Sequence, residues 1–185
     1  MYILGIDPGL AALGYCQVFL DRSTEAVISA SVITTKKSDK KLNVFASDDN
    51  VRRIQELVDQ LWPCFEESVR PAVICSESQS WPRNASNCAK TGMAWGAITT
   101  LARIYDVPIV MVSPKRLKEA TAGHAGASKE DVKLAVLDAW PAVARCLEHV
   151  TPSKQNHAYD AAGAIMACLD SELIRALRST IKERS

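Results

Sequence analysis

Two stretches of the chain run apolar for several residues and then end on an acid. Residues 2–7, Tyr-Ile-Leu-Gly-Ile-Asp, are followed by Pro8-Gly9, and after Pro71 the run Ala72-Val73-Ile74-Cys75-Ser76 leads into Glu77. Short apolar runs closed by turn residues predict buried strands. Leu13 to Leu20 and Glu25 to Thr35 predict two more, with a turn at Asp21-Arg22-Ser23, so the first three strands form an antiparallel meander. Val107 to Val112 predicts a fifth. Between the strands the period changes. Val51, Ile54, Leu57, Val58 and Leu61 fall at helical spacing from about Asn50 to Ser68, with Asp48 or Asp49 as N-cap and Arg52, Arg53, Gln55 and Glu56 on the intervening positions. A helix over Ala85 to Tyr105 carries Gly92, Ala94, Gly96 and Ala97, small enough for close packing on a sheet. Ser113-Pro114 opens a helix bearing Lys115, Arg116 and Lys118. Thr121 to Ala127 is a glycine-bearing loop, and Ser128 to Asp131 resembles a capping box for a helix reaching about Trp140. The last helical stretch starts near Gln155 and runs, with breaks, into a basic tail at about 170–185. The order βββ, α, β, α, β, then helices predicts one α/β domain over residues 1–185, a mixed five-stranded sheet flanked by helices.

Composition adds exclusions. The 185 residues are enough for a substantial single core, 48% of them are apolar, and no apolar run is long enough to cross a membrane. The N-terminus lacks a basic start and reads as a strand instead of a secretory signal. Six cysteines are scattered without a C-x-x-C pair, which argues against a zinc site and for reduced, mostly buried thiols in a cytoplasmic setting. With 22 basic and 21 acidic residues the net charge is +1, so the chain does not coat nucleic acid by charge alone; a local basic face beside an acidic pocket is compatible with that balance. Lys36 to Lys41 reads as a charged, solvated loop tip.

The informative feature is where the acids fall. Asp7 and Glu77 stand at the carboxyl ends of two apolar strands, and in an α/β sheet such ends converge on one crevice. A carboxylate beside a core is costly to keep ionised alone; a divalent cation is a natural partner, and hard oxygen ligands select magnesium or manganese. Either acid taken singly could equally cap a helix or pair with a lysine. In Asn156-His157-Ala158-Tyr159-Asp160-Ala161, His157 and Asp160 lie three residues apart on one helical face, followed by small residues suited to packing on a sheet. A lone histidine there would more often be a structural or surface residue; beside an acid, at the start of a buried helix, it fits a metal-binding edge.

These residues resemble the RuvC-like Holliday junction resolvases of the RNase H-like superfamily. The resemblance is carried by Ile3-Leu4-Gly5-Ile6-Asp7-Pro8-Gly9 with Gly14-Tyr15, by Ile74-Cys75-Ser76-Glu77 and by His157-Ala158-Tyr159-Asp160-Ala161, and it extends from Met1 to about Leu169. It implies an RNase H-like fold and a metal-dependent endodeoxyribonuclease that resolves four-way DNA junctions. The implied ligands and catalytic residues are Asp7, Glu77, His157 and Asp160. They would hold two Mg2+ ions, with Mn2+ also competent, and the products would carry 5′-phosphate and 3′-hydroxyl ends. His157 stands where many members have aspartate.

The DNA-binding expectations follow from charge and from the resemblance. Lys115, Arg116 and Lys118 on one helix and Lys129 and Lys133 on the next flank the 121–127 loop and are natural phosphate contacts. The resemblance singles out Lys118 and Lys129 as nearest the cleaved bond. Trp81, just after Glu77, can stack on an unpaired base or serve in packing, and Arg83 and Asn84 reach phosphates or bases from the same loop. The two-fold symmetry of a four-way junction asks for a homodimer, and the resemblance implies the 85–105 helix (Gly92, Met93, Trp95, Gly96) as its interface, the alternative being a place in the monomer core. A branch-migration motor is left open as a further partner. Three rivals remain: a broader nuclease acting on flaps, forks or hybrids, a non-catalytic junction-binding protein, disfavoured because all four ligand positions carry competent residues, and an ATP-binding protein of the actin and Hsp70 type. The last shares a Gly5-Ile6-Asp7-x-Gly9 pattern but needs a second related domain and phosphate loop, which this length leaves little room for.

Overall fold

The structure, a computed structural model, describes residues 1–78 and 84–181. Five strands form one sheet in the order β3-β2-β1-β4-β5: β1 (Tyr2–Asp7), β2 (Ala12–Leu20), β3 (Glu25–Thr34), β4 (Pro71–Glu77) and β5 (Ile109–Val112). β1 pairs antiparallel with β2 and β2 with β3, whereas β1/β4 and β4/β5 are parallel. This is the mixed sheet expected of an RNase H-like fold, with β1 at its centre.

The two-residue period of a strand decides what each face carries. On β1, Leu4 and Ile6 face one layer, formed by α1 (Ala46–Leu61) and α2 (Ala85–Ile104) through Leu57, Leu61, Trp95, Ile98 and Leu101. Ile3 faces the other, formed by α3 (Pro114–Ala122), α4 (Lys129–Ala139), α5 (Ala142–Cys146), α6 (Asn156–Cys168) and α7 (Glu172–Thr180). β4 repeats the division, with Ile74 on the first side and Val73 and Cys75 on the second. Alternation therefore delivers Asp7 and Glu77 to the α6 side. Against that face α6 lays an almost fully buried stripe of Ala158, Ala161, Ala162, Ile165 and Cys168, and Gly5 and Gly14 remove the side chains that would hold it off.

The α1 region departs from the expectation of a helix over Asn50 to Ser68. The helix starts at Ala46 and stops at Leu61, where Trp62–Phe65 tightens into a 3-10 turn around Pro63, whose ring cannot continue an α-helical ladder. Asp48 and Asp49 lie inside the first turn and do not cap it. Asp49 instead accepts from the Ser38 amide and hydroxyl (3.0 and 2.6 Å) and from Arg52 (2.9 Å). Arg53, placed among the polar positions from the sequence, is 2% exposed and donates from Nε to Thr35 Oγ1. The Thr35 hydroxyl in turn donates to the Leu10 carbonyl, fastening the turn that follows Asp7. The fifth strand is shorter than expected, starting at Ile109. The capping box at Ser128 is present, with Asp131 answering it, and Ser113 and Gly123 bound α3. All six cysteines are free thiols, four of them buried. No helix among the described residues is long and apolar enough to cross a membrane.

Candidate active site

Asp7, Glu77, His157 and Asp160 line one cavity of about 360 Å³, together with Ser78, Thr91, Lys118 and Lys129. Strand ends supply the first two acids, and the half-buried first turn of α6 supplies the histidine and the third acid at i and i+3. Three of the four are engaged in two pairs. His157 Nδ1 lies 2.6 Å from Asp7 Oδ2, and Lys129 Nζ donates to Asp160 Oδ2 at 3.0 Å. With Asp7 turned to His157 and Asp160 to Lys129, no three His, Cys, Asp or Glu groups among the described residues form a ready-made ion cage.

The electrostatics are those of crowded anions. Burial, then the nearby Asp160 and Asp7, push the Glu77 carboxyl up to about 7, against the pull of Lys129 and Lys118. Burial also raises Asp160, opposed by Lys129. The hydrogen bond to Asp7 raises His157 above the ordinary imidazole range although its burial acts the other way. Three carboxyl groups and an imidazole facing one solvent-accessible cavity form a hard oxygen and nitrogen donor set that a divalent cation would relieve of its repulsion. The residues present thus fit such an ion.

A stability prediction follows from the signs. Carboxyl groups raised by folding cost stability as pH climbs above their unfolded values, and a raised histidine contributes stability below about 6.5 that is lost as pH rises through its folded value. Glu77, Asp160 and His157 therefore all act in one direction. In EDTA, this site makes the protein less stable at pH 8 than at pH 6, and Mn2+ raises Tm more at pH 8 than at pH 6. Differential scanning fluorimetry at the two pH values checks this; a larger metal-induced shift at pH 6 would refute it.

Of the residues expected to touch DNA, Lys118 and Lys129 line the cavity, whereas Lys115 does not and leans toward Glu119 at 3.8 Å. Asn84 N-caps α2, its side chain accepting from the Ser86 amide at 2.9 Å. Trp81 and Arg83 lie outside the described residues. Thr91 and Ser78 were not anticipated. Ser78 follows Glu77 directly, so its place was readable from the strand end; Thr91 carries no signal in the sequence and enters only because the first half of α2 walls the cavity. α2 has two faces: Ala94, Trp95, Ala97 and Ile98 are buried, while Met93 is exposed and Gly92 and Gly96 have open space beside them. Trp95 is thus a core residue, and the rest of the suggested interface is surface.

The family "Crossover junction endodeoxyribonuclease RuvC" matches residues 3–169. A relative with that name from Chlorobium phaeovibrioides is 31% identical over 137 residues, 74% of this chain and 67% of the relative. One from Porphyromonas gingivalis is 28% identical over 130 residues, covering 70% of this chain and 64% of the relative, so the match takes in just under two thirds of that protein. Among solved structures, Thermus thermophilus RuvC superposes with a TM-score of 0.70 at 25% identity, over 98% of this chain and 99% of that one. The same protein in complex with a Holliday junction substrate gives 0.69 at 27% identity, with 98% of both chains covered. A yeast mitochondrial Holliday junction resolvase shares the fold at 16% identity and a TM-score of 0.58. The family match spans residues 3–169, nearly the whole chain, and so the chain belongs to it: this is a member of the RuvC family.

Proposed function

We propose that the protein is a metal-dependent endodeoxyribonuclease that resolves four-way DNA junctions, cutting to leave 5′-phosphate and 3′-hydroxyl ends. The observation that carries the reading is the gathering of Asp7, Glu77, His157 and Asp160 with Lys118 and Lys129 around one cavity, in a chain of the RuvC family. Asp7, on the central strand, would hold two Mg2+ or Mn2+ ions together with Glu77, Asp160 and His157. When bound, such ions would supply activation of water and offset the charge that develops on the leaving 3′ oxygen. The chain's own groups do the rest. Lys118 and Lys129 hold the phosphate against the acidic floor, and Thr91 and Ser78 offer hydroxyls at the rim. Attack by water on phosphorus breaks the bond to the 3′ oxygen, which leaves and takes up a proton. A junction has two such bonds related by a two-fold axis, so the working unit is a homodimer, and the open face of α2 at Gly92, Met93 and Gly96 is the surface suited to it.

The test is a comparison of a synthetic four-way junction with flap, linear duplex and RNA–DNA hybrid in Mg2+ and in Mn2+. Preferential cutting of the junction is expected; intact branched substrates in both metals would end the catalytic reading. His157 adds a second arm. A neutral imidazole ligates and a protonated one repels a cation, so the rate falls as pH drops through the raised histidine range, and Mn2+ performs at least as well as Mg2+. His157→Asp moves the acid limb downward and weakens the Mn2+ preference. An unchanged pH and metal profile in that variant would show that His157 is no ligand.

A further inference from the structure

A second cavity, of about 490 Å³, lies between the β3–α1 connection and the start of α2. Lys37, Lys40 and Lys90 line it, with Ser38, Asn43 and Ser86 between them. From the sequence this connection reads as a solvated tip, but the structure ties it down. Ser38 donates twice to Asp49, Arg52 donates to the Lys36 carbonyl at 2.6 Å, and the Lys41 amide donates to Asp39 at 2.9 Å. Those bonds also engage the two acids of the groove: Asp49 is held by Ser38 and Arg52, and Asp39 by the Lys41 amide. None of the three lysines has an ion-pair partner among the described residues. The result is a fixed concave surface with three ammonium groups and several neutral donors, on a chain whose net charge is only +1.

The position of the groove gives the charge a use. Lys90 and Thr91 are neighbours on α2; the first lines this groove and the second lines the catalytic cavity, so one helical turn is the wall between them. Phe45 and Leu42, 77% and 67% exposed, stand on the same connection and offer apolar surface for a sugar or an unstacked base. The geometry points to this groove as a second DNA-backbone site, in which Lys37, Lys40 and Lys90 hold phosphates of the junction strand beyond the cavity. The inference rests on the proposed reading that junction DNA is the substrate. A membrane surface is the other partner that lysines beside exposed apolar residues could suit. The shared wall with the catalytic cavity favours DNA.

The decisive variant is Lys37→Gln/Lys40→Gln/Lys90→Gln, all changes at side chains without ion-pair partners among the described residues, with Tm confirming that it folds. Binding of a synthetic four-way junction is measured by fluorescence anisotropy from about 50 to 200 mM salt. Because each phosphate contact contributes about 0.9 to the slope of log K against log salt, loss of two to three contacts lowers the slope by roughly 2–3 and weakens binding about 10–100-fold at low salt. A control, Arg70→Gln/Arg103→Gln, removes charge at the ends of β4 and α2 far from the site and keeps the wild-type slope. An unchanged slope in the triple variant, while wild type still cuts junctions, overturns the groove alone. An equal loss in the control makes the effect one of overall charge and overturns it too. Loss of binding to phosphatidylserine vesicles with junction affinity unchanged would assign the groove to a membrane. Wild type that neither binds nor cuts branched DNA removes the functional reading itself.

Discussion

Replacing Asp7 by Asn lowers the single-turnover rate of junction cleavage by at least about 10³-fold while leaving junction affinity unchanged or slightly tighter. The asymmetry comes from what the residue touches. Asp7 ends the central strand, hydrogen-bonds His157 at 2.6 Å and faces Glu77 and Asp160 across the cavity. Asparagine keeps the size and one acceptor for the imidazole, so the fold and the orientation of His157 survive. It loses the negative charge that the proposed role of holding a divalent ion requires, and amide oxygen is a far poorer partner for such an ion. DNA affinity is supplied mainly by cationic contacts to phosphate, in the proposed reading Lys118 and Lys129, and removing a negative charge from the floor of the site favours a polyanion. Glu77 reports the same change: with one of its neighbouring carboxylates gone, its raised pKa comes down toward the ordinary value. Rates and gel-shift affinities of the two proteins, measured side by side, decide it. Cleavage within about tenfold of wild type would mean that Asp7 is no metal ligand.

Much of this was readable from the chain because the strands are short and their alternation is strict. Ile3 and Val73 are core residues on one face, so Asp7 and Glu77, each four positions on, had to emerge on that same face. The i, i+3 spacing of His157 and Asp160 likewise permits only one helical arrangement. What the sequence could not provide was pairing across elements. Nothing local says that Lys129 reaches Asp160 or that Asp7 leans on His157, since 31 and 150 residues separate them. Arg53 was misplaced for the same reason: a charged residue at a helical position reads as solvent-facing until Thr35 is brought beside it. The α1 boundary slipped because Asp48 and Asp49 look like caps, whereas the β3–α1 connection needed Asp49 as an anchor. The lysine loop looked solvated because its fixing bonds come from residues about ten positions away. Local rules identified the chemistry, and tertiary contacts determined how it is held.

Gly14 tests that tertiary level, and its replacement is the most damaging small change the structure offers. It sits in β2 opposite Asp7, where α6 crosses the sheet. A Cβ there would stand 2.0 Å from the His157 carbonyl oxygen, 2.1 Å from its carbon and 2.6 Å from the Ala158 nitrogen. All three are backbone atoms that no rotamer change can move aside. Relief requires the first turn of α6 to retreat by about an ångström, against a stripe of fully buried alanines. Gly14→Ala is therefore expected to cost about 3 kcal/mol, or roughly 10 °C in Tm. It should also slow cleavage by about 10²-fold in the molecules that remain folded, because the displaced turn carries both His157 and Asp160. The informative comparison is Gly126→Ala, where the nearest atom is a flexible His124 side chain at 3.6 Å and the backbone is not left-handed. That change is expected to be neutral or to stabilise by up to ~1 kcal/mol. If Gly14→Ala melts with wild type, α6 does not rest on β2 as closely as these contacts require, and the placement of His157 beside Asp7 loses its structural basis.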